Sequence, residues 1–376
     1  MNKLKRKRRK KTMWIIFSII AIITVGVIIF IHQPKFGRRP KGERKERVHH
    51  SQNYRDGKFQ NLSNTPQITM DDGVFKALRD FLFTETERTP DKPIPADKID
   101  LYSLDIKEDI LVWFGHSSCF VQLEGKRILI DPVFSQAASP LPFVNKPFKG
   151  TDIYSATDIP DIDYLIITHD HWDHLDYPTV KALKLRIKQV ICPLGVGEHF
   201  ERWNFNKENI LEMDWEEKAV LSSEFELYCL PARHFSGRGL NPKQSLWASF
   251  LLKTSDFTLY IGGDGGYDTH FADIGKRFTA IDLALLENGQ YNEKWKYIHM
   301  FPEQTLKAGK DLQAKRVLPV HNSKFALGQH AWDEPLQTLT KLHHDNDFIL
   351  ITPKIGQIVY LKDTSQQFEH WWKTVK

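Results

Sequence analysis

Three histidines and three aspartates lie within residues 169–176, directly after an apolar run. The run, residues 164–167, predicts a buried strand, so the cluster begins where that strand ends. Buried imidazoles and carboxylates need polar partners, and core packing does not account for six of them in so short a stretch. Because imidazole and carboxylate together are typical ligands of zinc and similar divalent ions, the stretch predicts a metal site at a strand end.

The spacing inside this cluster favours two ions. His169 and His171 alternate along an extended backbone and can reach one ion, whereas Asp173 and His174 follow the bend and can reach a second. Two ions a few ångströms apart can activate a water molecule and hold a phosphoryl or acyl oxygen. The cluster therefore indicates hydrolytic chemistry.

Further candidate ligands follow other apolar strands of the sequence. His234 and His321 each come directly after such a strand, and Asp264 stands between four glycines at the end of another. Glycine allows the backbone to approach an ion or a phosphate closely. The alternation of strands and helices predicts a layered α/β fold, in which sites form beyond the C-terminal ends of strands. The seven candidate ligands, enough for two ions that share a carboxylate, are His169, His171, Asp173, His174, His234, Asp264 and His321.

An uncharged stretch of 19 residues, 13–31, precedes this region. As a helix it would span about 28 Å, close to the thickness of the hydrocarbon core of a bilayer. Eight Lys/Arg lie in residues 3–11, and no small-residue cleavage site follows the stretch. We therefore predict an uncleaved, single membrane span with a cytoplasmic N-terminus. Seven more Lys/Arg lie in residues 35–47, so the charge bias does not decide on which side of the membrane the globular part lies. Alternatively, this second basic cluster binds the anionic inner leaflet.

Charge and cysteine content narrow the functional classes. Residues 1–47 carry a net charge of +13, which leaves −8 on the remainder of a chain whose total is +5. An acidic globular part argues against nucleic-acid binding. The three cysteines are widely spaced and odd in number, so we expect neither a disulfide framework nor a thiolate zinc site.

The pattern HxHxDH at His169, His171, Asp173 and His174 resembles the signature of the metallo-β-lactamase superfamily. Further motifs follow in an order similar to one branch of that superfamily, the N-acylphosphatidylethanolamine-hydrolysing phospholipases D. These motifs are GHSS at 115–118, LIDPVFS at 129–135, HDHWDHLD at 169–176, PARHFSGRG at 231–239, GGDGGYD at 262–268, HMFPEQ at 299–304 and PVHNSKFAL at 319–327. They cover most of the globular part.

The resemblance implies an α/β fold, the four-layer αβ/βα sandwich, with the site at one edge between two sheets. It implies two zinc ions, or similar divalent ions, as cofactors. The implied ligands are His169, His171 and His234 for one ion, and Asp173, His174 and His321 for the other. Asp264 would bridge both ions, and Asp173 or Asp264 would orient the attacking water and accept its proton.

Four further residues are expected around the ions. Asp131 follows a strand and would support a ligand from behind, as the resemblance implies. His116 would do the same, or it is a turn histidine bonded to backbone. His299, ahead of a helix, is a candidate for a similar supporting place. Trp172 stands where the phospholipases are expected to carry a tyrosine, and it would touch the substrate head group.

Together these features predict a membrane-anchored dinuclear zinc phosphodiesterase of phospholipase D type. The expected substrate is an N-acyl phosphatidylethanolamine or a related phospholipid, cleaved to phosphatidic acid and an N-acylethanolamine. The alternative is a metal-dependent hydrolase of a small soluble phosphoester or lactone, similar to the ascorbate-phosphate lactonases of the same branch. The expected partners are the phospholipid and the membrane, without nucleic acid, and no oligomeric state is predicted.

The predicted division of the chain has four parts: a basic cytoplasmic tail (1–12), a transmembrane anchor (13–31), a polar linker or arm over the domain (32–68) and the hydrolase domain (69–376). Residues 71–82 predict a short helix, and residues 135–150, rich in Pro, Ser and Ala, predict a long loop. The apolar loop residues, expected to contact lipid, substrate or core, are Leu141, Phe143, Val144 and Phe148.

Overall fold

A computed structural model describes residues 2–69, 87–344 and 348–375. The helix predicted for residues 71–82 lies outside the described residues. The helices are α1 (Asn2–Ile31), α2 (Gly42–His50), α3 (Tyr177–Leu183), α4 (Gly197–Arg202), α5 (His270–Arg277), α6 (Pro302–Asp311) and α7 (Glu334–Leu342). The strands are β1 (Tyr54–Arg55), β2 (Lys58–Phe59), β3 (Ile110–Trp113), β4 (Cys119–Leu123), β5 (Lys126–Ile130), β6 (Ile162–Ile166), β7 (Ile187–Pro193), β8 (Ile210–Met213), β9 (Lys218–Ser222), β10 (Phe225–Leu230), β11 (Ser249–Lys253), β12 (Thr258–Ile261), β13 (Leu283–Glu287), β14 (Arg316–Val320), β15 (Ile349–Leu350) and β16 (Ile358–Tyr360).

Most of these strands form two seven-stranded mixed sheets. The first sheet has the order β16-β3-β4-β5-β6-β7-β8, and the second has the order β15-β14-β13-β12-β11-β10-β9. Neighbours from β5 to β8 run parallel in the first sheet, as do neighbours from β12 to β15 in the second. Because parallel strands end at the same edge of a sheet, the loops that follow them meet there.

Apolar side chains cover both faces of each sheet, which produces four layers. Along β4, Val121 points into the core between the two sheets and Phe120 points to the outer face, as the two-residue period of a strand requires. Val180 of α3 packs on the outer face of the first sheet, and Leu306 of α6 packs on that of the second. This arrangement is the predicted four-layer αβ/βα sandwich.

Helix α1 contains the stretch predicted to span a membrane. An 18-residue window within Lys5–Ile31 has a mean hydropathy of 3.0, and the helix is long and apolar enough to cross a bilayer, a test that an N-terminal signal sequence also passes. The large apolar side chains of α1 are exposed along its length instead of packing on the sheets. The helix is therefore separate from the hydrophobic core of the sandwich.

Residues 32–69 lie over the globular part. In α2, the Arg44 guanidinium forms ion pairs with Glu198, Glu201 and Glu212, and Arg47 pairs with Glu217. These basic residues of the arm thus face acidic side chains of the sandwich, which fixes α2 against α4 and β8.

Candidate metal centre

Three imidazoles converge where β6 and β10 end. The Nε2 atom of His169 lies 2.9 Å from Nδ1 of His171, and Nε2 of His234 lies 3.2 Å from the same Nδ1. Nitrogens that bind one tetrahedral zinc at about 2.05 Å are about 3.3 Å apart. Both distances are within about 0.4 Å of that spacing, and ligand atoms of the three residues all lie within 4.8 Å of one another, so the three imidazoles could bind a single metal ion.

A second group lies beside the first. Oδ2 of Asp173 lies 3.3 Å from Nε2 of His321 and 3.7 Å from Nε2 of His174. With His116, these residues present ligand atoms that all lie within 4.8 Å of one another. The residues predicted for the second ion thus come together, although His321 is far from the other two in sequence.

Asp264 lies between the two groups. Its Oδ2 is 3.8 Å from Nε2 of both His169 and His234, and 3.0 Å from Nε2 of His321. Its Oδ1 is 3.1 Å from Nε2 of His174. Each carboxylate oxygen therefore faces the second group, and Oδ2 faces the first group as well, as a bridging ligand would require.

A glycine before Asp264 makes this approach feasible. Gly263 has a φ of +61°, and a Cβ atom there would lie 2.8 Å from Cβ of Thr168. A side chain at this position would push β12 away from the loop that carries His169. The glycine thereby allows the strand end to sit against the ligand loop.

The electrostatics of the cluster fit a bound cation. Burial lowers the pKa values of His169 and His234 well below the usual value for histidine, which leaves both imidazoles neutral and able to bind metal. Burial also opposes protonation of His174, but the Asp264 and Asp173 carboxylates raise the pKa of His174 well above its usual value. A site that attracts protons so strongly also attracts divalent cations, which compete with them.

Unsatisfied atoms point to the same conclusion. Nε2 of His174 and Oδ1 of Asp264 are buried and lie 3.1 Å apart, but neither atom makes a hydrogen bond of suitable geometry among the described residues. Buried polar atoms normally have partners, so a group without one calls for an ion or a ligand. Imidazole nitrogens and carboxylate oxygens in this number and spacing fit zinc or a similar divalent ion.

Asp131 fixes one ligand from behind. It accepts hydrogen bonds from the backbone N–H of Thr168 at 2.8 Å, from Oγ1 of Thr168 at 2.7 Å and from Nδ1 of His174 at 2.8 Å. The last bond orients the His174 ring and leaves its Nε2 free for a metal. Asp131 therefore lies next to the candidate ligand His174, on the Nδ1 side of its ring.

His116 contacts a ligand carboxylate. Its Nε2 donates to Oδ2 of Asp173 at 2.9 Å, and its backbone carbonyl accepts a bond from Trp113 Nε1 at 2.8 Å. Burial, and to a smaller extent the nearby His321, lower the pKa of His116 to about 3, so the ring is neutral. Its φ of +53° and the φ of +64° at His321 are strained values that the surrounding contacts maintain.

Sequence reasoning overlooked Glu287. This buried carboxylate ends β13, accepts a bond from Nδ1 of His299 at 2.8 Å and one from the backbone of Met300 at 2.6 Å, and lies 3.6 Å from Nδ1 of His321. It therefore joins His299 to a ligand histidine. The available signal was the same as for Asp264, an acidic residue at the end of a buried strand.

The arm also contributes to the site. Asn61 donates from Nδ2 to the carbonyl of His234 at 2.8 Å, and its Oδ1 accepts from the His234 backbone at 3.0 Å. Nδ1 of His234 donates to the carbonyl of Ile298 at 2.9 Å, which presents Nε2 to the other histidines. Nothing in the sequence around Asn61 signals this role.

A cavity of about 370 Å³ opens over the ligands. Its floor includes His171, Asp173, His234, Asp264 and His321. Its walls contain the apolar side chains of Ile68, Phe235, Trp295, Ile298 and Leu327, together with His299. Gln67 and Gln290 complete the lining, so the walls are mainly apolar around a polar floor, an arrangement typical of pockets for amphiphilic ligands.

Trp172 points away from this cavity. Its ring packs against Phe36 of the arm with ring centroids 5.1 Å apart, and the Arg238 guanidinium lies 4.0 Å from its centroid. Arg238 in turn donates to the carbonyls of Asp170 at 2.8 Å and Leu175 at 2.6 Å. The structure thus gives Trp172 a place between the ligand loop and the arm, outside the cavity where a head-group contact was expected.

Comparison with known proteins agrees with this fold. A family model described as a beta-lactamase superfamily domain matches residues 126–322. An uncharacterized protein of Mycobacterium tuberculosis is 35% identical over 329 residues, which cover 86% of this chain and 88% of that protein. The N-acyl-phosphatidylethanolamine-hydrolyzing phospholipase D 1 of Caenorhabditis elegans is 27% identical over 329 residues, which cover 80% of this chain and 90% of that protein.

A solved structure is similar in fold. Igni18, a metallo hydrolase from the hyperthermophilic archaeon Ignicoccus hospitalis, superposes with a TM-score of 0.51 at 19% identity, covering 67% of this chain and 98% of that chain. The likeness extends over the sandwich and shows a shared fold.

Proposed function

Because the chain belongs to the beta-lactamase superfamily and is a metal-dependent hydrolase, we propose that it is a phosphodiesterase of phospholipase D type. The proposed substrate is an N-acyl phosphatidylethanolamine or a related phospholipid, and the proposed site of action is a membrane that α1 spans once. We propose the same division of the chain as the sequence predicts: a tail (1–12), a membrane anchor (13–31), an arm (32–68) and the hydrolase domain (69–376).

One observation carries this proposal: two groups of ligands share Asp264 on the floor of an apolar-walled cavity. Seven ligand side chains are enough for two ions only if one carboxylate serves both, and Asp264 lies 3.0–3.8 Å from nitrogens of both groups. We therefore propose two zinc ions, or similar divalent ions, as cofactors. The name of the Caenorhabditis elegans relative supports the lipid class.

Bound divalent ions would supply Lewis acidity, which makes water a nucleophile and neutralises phosphoryl oxygens. Asp173 or Asp264 then orients the water and accepts its proton, and the hydrogen bond from His116 holds the Asp173 carboxylate in place. Water oxygen forms a bond to phosphorus, the bond from phosphorus to the N-acylethanolamine oxygen breaks, and that oxygen takes up a proton.

The walls of the cavity favour an amphiphilic substrate. Ile68 is largely exposed at the mouth, and Phe235, Trp295 and Leu327 add further apolar surface there. A volume of about 370 Å³ holds a head group, so long acyl chains would extend past the apolar mouth. The same volume would also hold a small soluble phosphoester or lactone, which is why this second candidate enters the test.

The test uses the full chain in proteoliposomes. Three probes separate the candidates: N-palmitoyl phosphatidylethanolamine, a soluble aryl phosphodiester and a small lactone. We expect release of phosphatidic acid and N-palmitoylethanolamine. This release should be lost in His171→Ala and His321→Ala and retained in His50→Ala, a matched change at an exposed histidine of α2. Turnover of the soluble probes alone, or release of free fatty acid, would contradict the phospholipase D reaction.

A further inference from the structure

The end of the membrane helix is docked on the sandwich. Trp203 donates from Nε1 to the carbonyl of Pro34 at 2.7 Å. Arg202 donates to the carbonyls of His32 at 2.5 Å and Gly37 at 2.6 Å. Because residues 32–37 leave α1 and bind the sandwich at once, the point where the helix ends is fixed relative to the catalytic part.

Two loops flank this point and expose apolar side chains. Lys35 donates to the carbonyl of Pro140 at 2.7 Å, which holds the loop after β5 beside the helix end. At the tip of that loop Phe143 is 68% exposed, and Val144 is also exposed. On the other flank, Leu240 is 80% exposed and lines a cavity together with Ile31 and His32.

We propose that Phe143, Val144 and Leu240 form a membrane-facing rim, which enters the head-group region of the bilayer around the end of α1. This inference rests on the membrane anchoring proposed above and extends it from a tether to a fixed orientation. An apolar helix that ends at Ile31 sets the depth of the bilayer surface near that residue, and the rim lies beside it. Single exposed apolar residues are common on protein surfaces. Here three of them surround the end of the proposed membrane helix, where all three can contact the same bilayer.

The charges around the rim fit a phospholipid surface. Arg39 is exposed and lines a cavity with Ile31 at the helix end, and Lys146 is exposed on the loop of Phe143. In contrast, Arg44 is buried among the carboxylates of Glu198 and Glu212. The exposed cations can therefore meet lipid phosphates, whereas the paired arginine holds the arm in place.

The segment that follows α1 also contacts the loop that carries the candidate ligands. Along the ligand loop, His171 and Asp173 line the cavity over the site, whereas Trp172 between them packs on Phe36 near the helix end. One layer of side chains thus separates the anchor from the ligand loop. A lipid substrate would then reach the site without leaving the bilayer surface completely.

Position-specific labelling tests the rim. The three native cysteines are buried, so an exposed cysteine introduced by Phe143→Cys or Leu240→Cys can be labelled selectively with an environment-sensitive fluorophore. Val220→Cys is the matched control. The exposed fraction of Val220, 69%, is similar to the 68% of Phe143, but Val220 lies on the edge strand β9. The full chain is reconstituted in phosphatidylcholine vesicles with and without doxyl-labelled lipid, and flotation reports whether it binds them.

We expect the chain to float with vesicles and the doxyl lipid to quench the labels at positions 143 and 240 several-fold more than the label at 220. Flotation with equal quenching at all three positions would overturn the rim and leave the anchor standing. Failure to float would overturn both. Loss of lipid turnover with the quenching pattern intact would remove the proposed substrate alone.

An activity assay completes the test. Phe143→Ser/Leu240→Ser should lower turnover of vesicle phospholipid several-fold, through KM, and leave turnover of the same lipid in detergent micelles unchanged. An equal loss in both assays would indicate structural damage and would contradict a role at the bilayer.

Discussion

The ion pairs of Arg44 permit a quantitative test of how firmly the arm is held. The Arg44 side chain is 9% exposed, and its partners Glu198 and Glu212 are 1% and 8% exposed. Arg44→Met removes the charge and leaves both carboxylates buried. Breaking a buried pair in this way costs about 3–5 kcal/mol.

The contacts that Glu198 and Glu212 keep in Arg44→Met favour the lower end of this range of about 3–5 kcal/mol. Glu198 keeps its pair with Arg38, and Glu212 keeps hydrogen bonds from the backbone N–H groups of Gly195 at 2.8 Å and Gly197 at 3.0 Å. We therefore expect Arg44→Met to destabilise the docked arm by about 3 kcal/mol, a population shift of more than a hundredfold.

Arg47 provides the control within the same helix. Its pair with Glu217 is exposed, at 43% and 45%, and such pairs contribute about 0–1 kcal/mol. Arg47 also donates to the carbonyl of Glu212 at 2.9 Å, but its replacement leaves no carboxylate buried without a partner. Hydrogen exchange of the α2 amides should therefore accelerate strongly in Arg44→Met and clearly less in Arg47→Met. Adding Glu212→Gln to Arg44→Met should restore part of the protection, because it removes an orphaned charge. Equal exchange in the two single variants would refute the assignment of the arm's stability to these buried pairs.

Three further outcomes follow from the structure. Asp131→Asn loses the charge-assisted bond to His174 and should weaken metal affinity about 10–100-fold in a competition titration, and an unchanged affinity would contradict its supporting role. Burial lowers the pKa of Lys324 from 10.5 to about 8, so as the pH rises from 8 to 10.5 the folded state loses this proton first and becomes more stable. Over that window the wild type should gain about 3 kcal/mol of unfolding free energy relative to Lys324→Met, and a constant difference would contradict the shift. Chelation should lower the thermal midpoint of the wild type and leave that of His171→Ala/His321→Ala nearly unchanged, whereas equal shifts would point to metal bound elsewhere.

The layered fold and the convergence of the candidate ligands could be predicted from local patterns. Apolar runs marked the buried strands, and His169, His234, Asp264 and His321 all follow such runs. Because strands of the same direction end at one edge, the order of motifs was sufficient to bring these residues together.

Other features depend on contacts between segments far apart in sequence. Asn61 holds the backbone of His234, and Trp172 packs on Phe36, but no local pattern marks either contact. Strand β9 was not predicted because it is a half-exposed edge strand with weak alternation. Helix α2 lies in the segment predicted to be a polar linker or arm. No helix was predicted there because α2 is stabilised by ion pairs with the sandwich and not by an apolar stripe.

The loop after β5 shows both kinds of outcome. The sequence predicted an irregular loop with four apolar residues divided between core and exterior. Phe148 is buried in the core between the sheets, whereas Phe143 and Val144 are exposed. Which of them is buried depends on the backbone bond from Phe148 to the carbonyl of Lys324, 2.8 Å long, and the sequence gives no sign of it.

Metal analysis of the purified full chain tests the proposed pair of ions most directly. Wild type, His171→Ala and His321→Ala are compared by elemental mass spectrometry after equilibration with excess zinc and removal of unbound metal. We predict two ions per wild-type chain and about one in each variant, because each substitution removes a ligand from a different group. A single ion in the wild type, or full occupancy in both variants, would contradict a dinuclear centre bridged by Asp264.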